Sequence, residues 1–168
     1  KSTSYGTSGS VTMNGGTITV AGASTVYGIG QSNSTVNGGT INVTKTGTSN
    51  ANAYGVVVYD SFTMNGGTIN VTSEGGTSAT YGIYACSGSY CYGNTYINDG
   101  TINVDSQNSD AYGIRTGKSS SYVLTIKNVN VTSNSVNKTS YGVWTSHTTS
   151  IADGKIQGGT YGVYNYNT

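Results

Sequence analysis

Apart from hydroxyls and lysines, the groups able to do chemistry in this chain are six carboxylates, one histidine, one arginine and two cysteines. The carboxylates are Asp60, Glu74, Asp99, Asp105, Asp110 and Asp153, scattered along the sequence. Acid–base catalysis or metal binding needs several such groups together, with a basic partner nearby. His147 follows Trp144 in a Ser/Thr-rich stretch where nothing completes a nucleophile triad or a metal set, so it reads as a solvated loop residue. Arg115 stands alone among the basic residues in carrying a guanidinium. Cys86 and Cys91 enclose the loop CSGSYC. A metal site would require two further soft ligands, so the pair is expected to form a local disulfide that closes an inserted loop in an oxidising compartment. The Gly-Gly pairs join strand to strand and open no helix, which excludes a phosphate loop. The expectation is a protein with no catalytic residues, no metal and no cofactor.

Composition points the same way. Only 8% of the residues are charged, against roughly 25% in an ordinary soluble domain. The net charge of +1 leaves no electrostatic footprint for nucleic acid or an anionic membrane. No apolar run reaches the ~18 residues of a spanning helix, so membrane insertion is not expected. Low hydrophobicity could signal disorder, but disorder goes with high net charge and few aromatics, and this chain has 15 tyrosines.

An internal repeat accounts for the composition. Tyr-Gly followed by Ile or Val occurs at Tyr27, Tyr54, Tyr81, Tyr112, Tyr141 and Tyr161, with an imperfect copy at Tyr5. A second block, GGTITV, GGTINV, GGTINV and DGTINV, is centred on Ile18, Ile41, Ile69 and Ile102 and continues more loosely at Val129 and Ile156. Five residues before each of these lies Met13, Val36, Met64, Ile97, Leu124 or Ile151. Both markers share a period near 27, and each repeat holds three short apolar-alternating segments. Between the second and third lies an Asn-Gly-Gly or Asn-Asp-Gly turn, where Gly or Asn takes a positive φ. Hairpins would pair neighbouring segments. Recurrence of identical segments instead favours each pairing with its copies above and below. The fold class expected is all-β: one three-faced parallel β-solenoid over residues 1–168, with about six coils of roughly 27 residues. The absence of Pro fits, since Pro would delete a ladder hydrogen bond. By parity Ile41, Val43, Ile83 and the repeated Tyr point inward, while Thr40, Asn42, Thr44 and Tyr84 point outward.

Stacked coils turn equivalent positions into columns. The residue after the inward Ile or Val of the first segment reads Gly30, Val57, Tyr84, Arg115, Trp144 and Tyr164. Tyr59 and Tyr166 extend the same facet. Tyr59, Tyr84, Arg115, Trp144, Tyr164 and Tyr166 are therefore the candidate ligand-binding residues, suited to stacking on sugar rings or against a partner. The plainer alternative is that these rings stabilise the sheet. Asp99 and Asp153 share a turn column about 10 Å apart, a spacing that could suit an inverting glycosidase pair; sister coils have Gly there, which favours a turn role. The third segment presents a Thr/Asn lattice similar to the arrays of ice-binding solenoids. Asn33, Asn42, Asn70, Asn130 and Asn137 lie in N-x-S/T sequons, candidate glycosylation sites if the source glycosylates.

The succession of YGI, short strand, turn and GGTI-x-V resembles right-handed parallel β-helices of the pectin-lyase-like type. It is most similar to the repeat regions of bacterial surface adhesins and autotransporter passengers. That resemblance implies a secreted or surface-displayed protein acting as a fibre, stalk or adhesin, although some members of the group cleave acidic polysaccharides. The expected partners are copies of the chain stacked end to end, surface glycans or another cell-surface molecule. The chain begins and ends within first segments without a capping helix, so it is expected to belong to a longer array or a fibre.

Overall fold

The computed structural model describes residues 2–30, 33–85, 93–117, 122–146 and 148–166, and every regular element among them is a strand. The first coil holds β1 (Ser4–Ser8), β2 (Val11–Met13) and β3 (Thr17–Gly22). The second holds β4 (Val26–Gly30), β5 (Ser34–Val36) and β6 (Thr40–Lys45), and the third β7 (Ala53–Val58), β8 (Phe62–Met64) and β9 (Thr68–Ser73). Thereafter one long strand replaces two: β10 (Thr80–Ala85) leads to β11 (Thr95–Ser106), β12 (Ala111–Thr116) to β13 (Val123–Ser135), and β14 (Ser140–Thr145) to β15 (Thr148–Gly158). β16 (Tyr161–Asn165) follows.

Each strand pairs in parallel with its own copies, as expected of a solenoid. One sheet runs β1-β4-β7-β10-β12-β14-β16. The second and third segments form two stacks, β2-β5-β8 and β3-β6-β9, that both join β11 and continue through β13 and β15. Two of the three expected faces thus merge into one sheet. The change coincides with sequence: where the first three coils have Gly15, Gly38 and Gly66, the later ones have Asp99, Asn128 and Asp153. These residues stay in the ladder where Gly leaves it. The positive φ falls on the following glycine, at Gly16, Gly39, Gly67, Gly100 and Gly154.

The core is a tube of aliphatic side chains. Ile29, Val56, Ile83, Ile114 and Val143 from the first sheet meet Ile41, Ile69, Ile102 and Val131 from the second, all at most 1% exposed. The pairing of Ile102 with Val131 and of Ile97 with Ile126 corrects the sequence alignment by two residues. Val131 and Ile126, not Val129 and Leu124, continue those columns into Ile156 and Ile151. A slip of two keeps every side chain on its face, so Val129 and Leu124 are also fully buried and the apolar pattern gives no sign of the shift.

Parity fails at one place in each of the first strands β4, β7, β10, β12 and β14. Gly82 and Ile83 both face the core: a Cβ on Gly82 would stand 2.5 Å from Ile102 Cγ2, and Ile83 is fully buried. The same approach recurs at Gly28 against Ile41, Gly55 against Ile69 and Gly142 against Ile156. Two successive inward residues reverse the alternation, so the preceding Tyr turns outward. Tyr54, Tyr81 and Tyr112 accordingly pack in a cluster of their own with Val57, Tyr84 and Trp144, separate from the tube.

Candidate functional site

The outward face of the first sheet concentrates the aromatic side chains. Tyr5, Tyr27, Tyr54, Tyr81, Tyr112, Tyr141 and Tyr161 form one column, with ring centroids 4.8–5.2 Å apart and planes inclined by 5–15°. The spacing is that of the parallel ladder beneath them, in which each Tyr pairs with the next. Burial raises the phenol pKa of Tyr54, Tyr81 and Tyr112 above the ordinary value; Arg115 opposes the rise at Tyr81 and Tyr112.

The candidate ligand column lies beside it in the expected register, Val57 with Tyr84, Tyr84 with Arg115, Arg115 with Trp144 and Trp144 with Tyr164. The Arg115 guanidinium carbon lies 5.4 Å from the centre of Tyr84, 4.9 Å from Tyr112 and 4.8 Å from Trp144. Its Nη1 donates to the Tyr81 hydroxyl at 2.9 Å, and its buried Nε has no partner. Tyr84 stacks on Tyr81 at 4.8 Å, Trp144 on Tyr166 at 5.4 Å, and Tyr164 meets Tyr141 edge-on. Tyr59 packs at the rim of the same cluster. The arrangement therefore spends most ring faces on neighbouring rings or on the guanidinium, and turns ring edges to solvent. Tyr166, 46% exposed, retains an open side.

The acidic residues do not converge. Asp99 and Asp153 share a column with Asn128 between them. Each accepts, through Oδ1, the N–H of its own following glycine at 2.7 Å, so each carboxylate is engaged by its own backbone, inside a strand and not in the expected turn. Among the described residues no three of His, Cys, Asp and Glu stand close enough to share a metal ion. His147, Cys86 and Cys91, and with them the expected disulfide, lie outside the described residues.

The turn and lattice asparagines form amide ladders. Asn37 donates to Asn14, Asn65 to Asn37 and Asn98 to Asn65, each at 2.8 Å. Asn70 donates to Asn42 and Asn103 to Asn70 at 2.9 Å. Asn137 donates likewise to Asn108. At the Asn70 and Asn137 sequons the nitrogen that a glycan would take is thus already engaged. Asn33 and Asn130 are exposed, and Asn33 uses its Oδ1 to accept the Ser61 N–H.

Two features escape a reading by simple alternation. One is the union of the Tyr-Gly tyrosines with Arg115, whose signal is the invariant glycine that breaks parity. The other is Lys45, which has the inward parity of Ile41 and Val43 and is fully buried. Comparison with protein-family models, curated proteins and solved structures finds no match to this chain.

Proposed function

We propose that this β-solenoid is a non-catalytic extracellular element, a structural or adhesive shaft of the kind found in surface fibres, stalks and adhesin repeats. The observation that carries the proposal is the unbroken tyrosine column, seven rings deep. It commits the most chemically capable face of the molecule to holding coils in register. The resemblance of the repeats to pectin-lyase-like β-helices supports the same role and an extracellular location. Its partners are then further copies stacked end to end, or molecules of an opposing surface. Immunogold labelling of intact source cells should decorate the exterior, with elongated particles in the purified protein. Label confined to the cell interior would sink the proposal.

A second reading, recognition of glycans, is favoured by the half-open Tyr166–Trp144 pair beside Arg115. On a glycan array, Trp144→Ala and Tyr84→Ala should each abolish a signal given by the native chain. A blank array with the native chain removes this reading and leaves the first intact.

A further inference from the structure

Among the described residues Lys45 is the one charged side chain without exposure. It ends β6, in a column with Gly22 below and Ser73 above. Its Nζ donates to Gly47 O at 2.5 Å and to Gly75 O at 2.6 Å, carbonyls that belong to two successive turns. Ser73 Oγ donates to the same Gly75 oxygen at 3.2 Å. Gly76, at a φ of +83°, brings its backbone against the ammonium: a Cβ there would stand 2.8 Å from Nζ. Among the described residues no carboxylate balances the charge. Burial alone lowers the amine's pKa, with no opposing charge among the causes, and the nearby Glu74 is exposed. A buried cation without a counter-ion persists only where fixed dipoles replace its water. Carbonyl oxygens from separate turns, converging at hydrogen-bond distance, are such a set of dipoles.

We propose that this corner is a carbonyl-lined site for a monovalent cation of ammonium or potassium size, which the chain fills with its own lysine. The tethered ammonium clasps the turn after β6 to the turn after β9. Neighbouring rungs show why the space exists: Gly22 contributes no side chain below it, and Ser73 contributes only a hydroxyl above it. A small residue at position 45 therefore leaves an oxygen-lined vacancy that a free cation of the right size can enter.

Chemical rescue tests this in the full chain. Lys45→Ala and Lys45→Ser are compared with the native protein in choline, sodium, potassium, ammonium and methylammonium chlorides at matched ionic strength. In choline both variants should melt roughly 5 °C or more below the native chain. Ammonium or potassium should recover about half of that loss or more, while the native chain shows no such preference. Lys45→Met fills the space without charge, so it should melt low and stay unrescued. Variants and native chain responding alike to all five salts would overturn the proposal, as would Lys45→Met melting at the native temperature. If a small variant does not fold in choline, recovery of its strand signal on adding ammonium becomes the readout, and no recovery overturns the proposal.

Discussion

The glycine of each Tyr-Gly-Ile/Val segment lets one wall of the tube touch the other. At Gly55 a Cβ would stand 2.5 Å from both Ile69 Cγ2 and the Gly82 carbonyl, and a backbone oxygen held in a ladder has little room to move. Gly55→Ala should therefore cost about 2–3 kcal/mol in urea denaturation, and an unchanged midpoint would show that the walls can part. The same residue reverses parity and sends the tyrosine outward, which strict alternation along the strand does not reveal. Arg115 depends on that reversal, because Tyr81 and Tyr112 reach its guanidinium only from the outer face. Replacing it by Gln removes the cation from the rings and should lower stability by about 1 kcal/mol. Arg115→Lys should recover only part of this, since an ammonium lacks the planar fork that lies between Tyr84 and Trp144.

At the scale of strands, the amide ladders give each segment a reason to prefer its own copy. Asn70 donates to Asn42 and accepts from Asn103, whereas Asn103 makes one such bond. Asn70→Leu should cost about 1–2 kcal/mol and Asn103→Leu roughly half as much, measured by chemical denaturation of each variant. Equal losses would mean that the ladder contributes nothing beyond β-propensity. The parallel stacking itself was legible, because Ile41–Val43 and Ile69–Val71 recur in one phase with tight turns before them. Two things were not. The two-residue slip at Val131 leaves polarity unchanged at every position, so only backbone pairing reveals it. The fusion of the second and third segments depends on whether residue 99, 128 or 153 stays in the ladder, a local backbone choice that hydrophobic periodicity does not encode. The column Tyr84–Arg115–Trp144–Tyr164 was legible by position; that its ring faces would be largely occupied was not, since this follows from side-chain direction.

For the molecule as a whole, the buried phenols set an alkaline limit. Tyr27, Tyr54, Tyr81, Tyr112 and Tyr141 have pKa values raised above 10.0, each with burial as the first cause. A raised phenol pKa means that the fold prefers the protonated form. Its contribution is complete below the unfolded value near 10 and is lost as pH climbs through the folded values. Lys45 acts in the opposite sense: its pKa is lowered from 10.5, so its own contribution improves as pH rises towards that value. Five phenols outweigh one amine. Denaturation midpoints should stay level to about pH 9.5 and then fall, with phenolate absorbance appearing together with unfolding. Phenolate formed without loss of structure would show that the column tolerates charge. The column has an optical consequence too. Fifteen phenols absorb ultraviolet light beside a single indole, and the rings of the file lie in contact from Tyr5 to Tyr161. Excitation captured on one ring can hop along the file and drain into Trp144, which packs against the same cluster. The folded chain should thus glow as tryptophan while absorbing as tyrosine, and each coil that peels away should announce itself by a return of tyrosine emission.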